Sequence, residues 1–253
     1  MKGVACCVIL LSLSFGIAYA GNESVLITYS PTMERVIFDG KWTNYLEWKN
    51  SSWNDIHFVD EGSIHLRTAH YKNFIYVFID AVIDHSLDLG KDSALICFDT
   101  KNNKAEIIDE DDYCFSVSLG ENEGITLKGG LEKGDEKINN LEGFIAISSV
   151  SDENDRYSKI PHPGYEFRIP TDLVGRSNTY GFFVSVYDQT SNKTYSWPTS
   201  LYYENYSSIP APNRWGELIS PDSSLPEFEW PFIALIPAMI LVIIIAKLQN
   251  VFN

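Results

Sequence analysis

Three kinds of residue in this chain could do chemistry: carboxylates spaced along two loops, tryptophans, and a few histidines. Asp84, Ser86 and Asp88 place oxygens at alternate positions of one loop, the hard donors that calcium gathers from a short stretch of chain. Gly90 comes one position later than an EF-hand loop needs, and no bidentate glutamate follows at the required place. Asp109, Asp111 and Asp112 are the other candidate set, and a solvated acidic loop is the alternative reading of each. Trp53 lies between Ser52 and Asn54 in a polar, Asn/Ser-rich loop, which predicts an exposed indole, and Trp197 stands at a strand end before Pro198. His57, His65, His70, His85 and His162 are scattered. The sequence has no G-x-S-x-G, no H-E-x-x-H and no Gly-rich phosphate loop, so the expectation is a protein that is not an enzyme. Carboxylate pairs for glycoside hydrolysis meet only in space, and among 34 acidic residues pairs arise by chance.

The elements that must position these residues are strands. Val25 to Tyr29, Ser63 to Thr68, Phe74 to Val82, Ala94 to Phe98, Tyr113 to Leu119 and Phe144 to Val150 are rich in β-branched and aromatic residues. Tyr165 to Ile169, Tyr180 to Tyr187, Thr194 to Trp197 and Trp215 to Ile219 continue the series. Ile37 to Trp42 reads as a strand running into a turn, Gly120 to Asn140 as a long loop with weak strands, and Asp172 to Val174 as one helical turn. Gly, Asn, Asp and Pro punctuate the runs, which predicts an all-β, antiparallel β-sandwich. The net charge of −15 repels phosphate backbones and excludes nucleic acid as a partner.

The ends of the chain predict export and anchoring. Met1-Lys2, an apolar run from Val4 to Ile17 and the small-x-small site Ala18-Tyr19-Ala20 make residues 1–20 a signal peptide cleaved after Ala20. Pro231 to Ala246 carries no charge; with Phe228 and Trp230 ahead of it, it predicts a membrane-spanning helix over 230–247. Residues 220–229 form a stalk, 248–253 a cytoplasmic tail, and 21–219 an extracellular domain, so the expected location is the cell membrane with a single pass. Cys97 and Cys114 are the cysteines left in that oxidising compartment, and both fall on the more polar face of their strands, which predicts a disulfide between neighbouring strands. The sequons at Asn22, Asn50, Asn192 and Asn205 predict a surface glycoprotein.

The order of short motifs resembles family 9 carbohydrate-binding modules and their DOMON-like relatives. Asp39-Gly40-Lys41-Trp42 with Glu47-Trp48 is similar to the family's opening, Phe74 to Asp80 to its next strand, and Asp92 to Asp99 to the one after. Asp111 to Phe115, Tyr165 to Pro170, Gly181 to Asp188, Trp197-Pro198 and Pro212 to Gly216 follow in the family's order, so the resemblance spans Phe38 to Leu218. It implies a jelly-roll or DOMON-like sandwich, often sugar-binding, sometimes calcium-bound, and haem-binding in some relatives. On this reading Trp42, Trp48 and Trp215 belong to fold-defining motifs and pack in the core. Trp53 and Trp197 are then the candidates to stack on a carbohydrate or envelope glycan. Haem is the rival ligand and needs axial donors; Met33 is the one methionine of the exported body, and no C-x-x-C-H site exists. A structural envelope glycoprotein without a small ligand is the third reading.

Leu225-Pro226-Glu227-Phe228 ahead of the apolar run resembles the archaeal PEF-CTERM sorting signal. That resemblance implies an archaeal surface protein and cleavage near Pro226, Glu227 and Phe228 by a membrane transpeptidase. Only Lys247 follows the span where such signals carry a basic cluster, so a plain membrane anchor stands beside it.

Overall fold

A computed structural model describes residues 23–129, 136–138, 141–202 and 209–221. The expected signal peptide with Ala20, the sequons at Asn22 and Asn205, the PEF motif at Pro226, Glu227 and Phe228, and the expected membrane span all lie outside the described residues. Among the described residues no helix is long and apolar enough to cross a membrane.

Two sheets face one another. The first contains β1 (Ser24–Leu26), β14 (Gly216–Ile219), β12 (Thr179–Asp188), β6 (Ser93–Asp99), β7 (Asp112–Ser118), β8 (Ile125–Lys128) and β9 (Glu136–Ile138) in that order, with β13 (Lys193–Trp197) also pairing β12. The second runs β10 (Ile145–Val150), β11 (Pro163–Pro170), β5 (Phe74–Asp80), β4 (Gly62–Tyr71) and β2 (Thr28–Tyr29), with β3 (Ser52–Phe58) also on β4. The pairs are antiparallel except β1 with β14 and β2 with β4. The N-terminal strand segments therefore edge both sheets.

The period-2 alternation of strand side chains sets the core. Ala94, Ile96 and Phe98 of β6, Phe115 and Val117 of β7, and Phe182, Val184 and Val186 of β12 turn inward. They meet Ile64, Leu66, Ile75, Val77, Ile79, Tyr165, Phe167 and Ile169 from the second sheet. Each such large apolar side chain, taken out of water, stabilises the fold by ~1.5–3 kcal/mol. The outward Cys97, Cys114 and Phe183 of the first sheet make a smaller cluster with Leu201, from a short helix at Thr199–Tyr202, and Trp215, which precedes β14. Cys97 opposes Cys114 in register, with Cα atoms 4.1 Å apart, and the two are bridged.

Two elements differ from the sequence reading. Residues 37–42 form bends and irregular chain rather than a strand, because they cross the outside of the second sheet, where the Glu166 side chain takes the backbone N–H groups of Asp39 and Gly40. Trp53 lies on strand β3, not in a loop; only Ile56 and Phe58 of that strand face the core, so its apolar signal is weak. Between Gly120 and Asn140, read as a long loop with weak strands, the structure places two short strands, β8 and β9.

Candidate binding face

The outer face of the second sheet carries two rows of side chains, set by register. In one row Trp53 opposes Arg67, Arg67 opposes Phe78, and Phe78 opposes Glu166. In the next, Asp55 opposes His65, His65 opposes Asp80, and Asp80 opposes Gly164. Two segments cover most of this face, and each is held by one buried carboxylate.

Glu166 holds the first segment, residues 36–51. Its Oε2 accepts the backbone N–H groups of Asp39 and Gly40, each at 2.9 Å, and its Oε1 accepts the indole N–H of Trp48 at 2.9 Å. Burial lifts its carboxyl to about 8, although these donors pull the other way. Gly40, at φ +81°, is required here: a Cβ would come within 2.3 Å of the Ser148 and Ser149 backbone. Trp48 is buried and stacks on Phe78 at 5.5 Å, and Trp42 joins the same cluster with Met33 and Tyr76.

Asp80 holds the second segment, residues 151–162, through a buried contact with Nε2 of His162. Burial raises the Asp80 carboxyl to about 6 while His162 draws it back. Burial opposes charge on His162, but the Asp80 carboxylate outweighs it and raises the imidazole above its ordinary value. Asp155, 3.8 Å from Nε2, accepts the backbone N–H groups of Tyr157 at 2.7 Å and Ser158 at 2.9 Å. Ser151, His162 and Asp80 are arranged much as a nucleophilic triad is, with the Ser151 hydroxyl 3.1 Å from Nδ1 of His162 and Asp80 against Nε2, but Nδ1 is committed as a donor. The His162 Nδ1 hydrogen reaches the carbonyl of Ile160 at 2.7 Å, and the Ser151 hydroxyl accepts the backbone N–H of His162 at 3.0 Å. An imidazole donating from Nδ1 cannot take a proton from Ser151 there, so the constellation ties the loop down.

Between the two segments Trp53 remains open, with 54% of its surface exposed. Tyr157 stacks beside it, ring centres 6.1 Å apart and planes 22° off parallel, and His65 stacks on Tyr157 at 3.9 Å. Arg67, 8% exposed, donates from Nε to the Tyr157 hydroxyl at 2.7 Å and from Nη1 to the carbonyls of Trp48 at 3.1 Å and Ser51 at 3.3 Å. Asp55 lies 3.3 Å from Nδ1 of His65, yet burial lowers the imidazole below its ordinary value, so the ring is neutral at pH 7. The result is a rigid aromatic surface of Trp53 and Tyr157, edged by a guanidinium and the Asp55 carboxylate.

No family model matches the chain, and no curated protein matches it. Among solved structures the chain is similar to a family 9 carbohydrate-binding module from Caldicellulosiruptor kristjanssonii, determined in complex with cellotriose and in complex with glucose. Each comparison has a TM-score of 0.50 at 15% sequence identity, covers 78% of this chain, and covers 93% and 95% of the module. The fold is that of a family 9 carbohydrate-binding module.

Within this family 9-like sandwich the tryptophans divide. Trp42, Trp48 and Trp215 are buried, as their motifs imply. Trp197, expected to offer a second indole face, is instead 5% exposed: it shares the inward face of β13 with Tyr195, lies 6.1 Å from the Phe182 ring, and fills the space left by Gly216. It has no face free for stacking. The partners that flank Trp53 are Tyr157, His65 and Arg67. His65 and Arg67 alternate with Ile64 and Leu66 along β4, a signal the sequence holds; nothing local marks Tyr157.

The acidic groups also regroup. Asp84 is joined by Asp92 and Asp188, all buried, with one oxygen of each within 4.8 Å of the others. Ser86 bridges them, its hydroxyl at 3.0 Å from Asp84 and 2.8 Å from Asp188. Asp88 stands aside, accepting the Thr190 hydroxyl at 2.5 Å. Oδ2 of Asp84 is buried without a hydrogen-bond partner among the described residues. Three buried carboxylates with an orphaned oxygen are the donor set a hard divalent cation takes. In the other candidate loop Asp111 and Asp112 group with Asp99, while Asp109 turns to accept the backbone N–H of Asp111 at 3.1 Å.

Proposed function

We propose that the sandwich is a non-catalytic module that binds carbohydrate on the outer face of its second sheet, with Trp53 as the stacking residue. The observation that carries this reading is the half-exposed indole of Trp53, held beside Tyr157 on a fold shared with a module determined in complex with cellotriose and glucose. A flat indole face matches the C–H face of a pyranose ring, and neighbouring donors and carboxylates bond its hydroxyls. Arg67 and Asp55 stand at the edge of Trp53 for the second task. Because Arg67 is tied to two carbonyls and to Tyr157, the surface needs little rearrangement to bind.

The export and anchor signals of the sequence support a cell-surface location, with an envelope glycan or an external polysaccharide as ligand. Asp84, Asp92 and Asp188, with Ser86, are the residues that would hold calcium. The ion would supply charge neutralisation that ties the loop between β5 and β6 to the end of β12. Haem gains no support, since Met33 is buried in the cluster around Trp42 and Trp48.

The test is direct binding of the purified extracellular domain to a panel of oligosaccharides. Binding should weaken about tenfold or more in Trp53→Ala, as for a truncated aromatic hot spot. A blank panel, with envelope proteins copurifying instead, would favour the structural-glycoprotein reading.

A further inference from the structure

Cations and aromatic rings alternate along the face that carries Trp53. Lys49 lies over the Tyr45 ring at 4.5 Å. Arg156 lies 5.3 Å from the centre of Tyr45 and 5.0 Å from that of Trp42. Arg67 lies 4.8 Å from Trp42, 5.8 Å from Tyr157 and 6.0 Å from Trp53. The sequence Lys49, Tyr45, Arg156, Trp42, Arg67, Trp53 is thus one continuous ladder ending at the exposed indole.

None of these three cations forms an ion pair among the described residues. Lys41, Lys72, Lys101, Lys104 and Lys193 each hold a carboxylate at 2.6–2.9 Å. Other cations, such as Lys91, Lys159 and Arg176, also stand outside any ion pair among the described residues, so what sets Lys49, Arg156 and Arg67 apart is the shared run of rings that leads to Trp53. Several carboxylates of the neighbouring segments have partners other than these cations. Asp152 pairs with Lys41, and Asp55 faces His65. Asp155 binds two backbone N–H groups and approaches His162, and Glu47 accepts the N–H groups of Ile37 and Asn44. A ring face attracts a cation without cancelling its charge, and a guanidinium laid on a ring keeps its N–H donors for other partners. The Tyr45 phenol registers the local charge: its pKa is lowered by the Lys49 ammonium beside it, with Arg156 adding to the effect. Lys49 and Arg156 are exposed, so an incoming group can reach them.

We infer that this face selects an acidic saccharide, one whose pyranose ring lies on Trp53 while a carboxylate or sulfate on the same chain meets Arg156 and Lys49. The inference rests on the reading that Trp53 stacks on carbohydrate, and adds to it the charge of the ligand. Arg156, with a planar fork of donors, suits a bidentate oxyanion; Lys49 supplies a point charge.

Two matched pairs of polymers test it by calorimetry on the extracellular domain: polygalacturonate against its carboxyl-reduced form, and a sulfated dextran against dextran. The expected result is at least about fivefold tighter binding of an acidic member than of its neutral partner, weakening as salt rises from about 0.05 to 0.5 M. Whether the uronate or the sulfate pair shows the larger ratio identifies the oxyanion. The double variant Lys49→Gln, Arg156→Gln should bring the acidic polymer down to the affinity of its neutral partner, and Arg156→Lys should restore part of the difference. Equal affinity within both pairs, or a preference that survives the double variant, overturns the assignment while leaving carbohydrate binding in place. Acidic binding that persists in Trp53→Ala also overturns it, because the charge would then act without the stacking residue. No binding to any of the four polymers removes the carbohydrate reading itself.

Discussion

Glu166 accepts the indole N–H of Trp48, 118 residues away in the chain, at 2.9 Å, with both side chains buried. The same carboxylate takes two backbone N–H groups of the segment that carries Trp42 and Tyr45. One buried acid therefore fixes the segment that carries Trp42 and Tyr45, and this makes the fold sensitive to pH.

Burial raises Glu166 from 4.5 to about 8 in the folded protein. The folded state then holds a proton that the unfolded chain has already released, so stability is fully present below the unfolded value and falls as pH rises from about 4.5 to 8. Wild-type protein should show a lower urea midpoint at pH 8.5 than at pH 5.5. Glu166→Gln should be less stable at low pH, because its amide N–H₂ meets a donor, and should show a shallower slope across the window. An unchanged slope in the variant would place the pH dependence elsewhere.

Trp53 and Trp197 should separate binding from stability. Truncating Trp197, packed against Phe182 in the core, should cost about 3–5 kcal/mol. Truncating Trp53, half exposed, should change stability by roughly 1 kcal/mol or less and act on ligand affinity instead. Thermal melts and glycan titrations on the two alanine variants check both halves; a Trp197→Ala protein of wild-type stability would contradict the packing.

What was legible in the sequence follows the range of the interactions. Alternation along Leu95, Cys97 and Asp99 placed both cysteines on one face, because a strand's period is a local property. The polar neighbours Ser52 and Asn54 marked Trp53 as exposed for the same reason. In Thr194-Tyr195-Ser196-Trp197 the alternation also puts Trp197 with Tyr195, and the strand-end position before Pro198 masked it. Tyr157 reaches Arg67 across 90 residues, and Asp188 reaches Ser86 across 102. Such meetings depend on which strands become neighbours, and the Asp84 loop accordingly suggested Asp88 where the fold supplies Asp92 and Asp188.

The Cys97–Cys114 bridge spans 17 residues and is buried beneath Phe183, Leu201 and Trp215. Its closed loop should contribute about 3 kcal/mol by restricting the unfolded chain. Native protein should resist reductant and show no reactive thiol at these positions, and the Cys97→Ala, Cys114→Ala protein should melt at lower temperature. Rapid reduction without loss of structure would count against the burial.

The proposed calcium site gives the last test. Asp84, Asp92 and Asp188 bring three carboxylates together, and among the described residues no cationic side chain is hydrogen-bonded to them; their partners include Ser86, Ser191 and the backbone N–H groups of Asp88 and Gln189. A divalent ion that binds only the folded state stabilises it by mass action, about 2.7 kcal/mol at a hundredfold excess over its dissociation constant. Added calcium should therefore raise the melting temperature, and chelation should lower it. Asp188→Asn should remove most of that response, since it takes away one of the three oxygens. Asp88→Asn should keep it, because Asp88 bonds Thr190 and stands outside the group. Equal loss in both variants would move the site back to the contiguous Asp84–Asp88 loop, and a melting temperature indifferent to calcium would leave the three acids as a buried polar cluster without an ion.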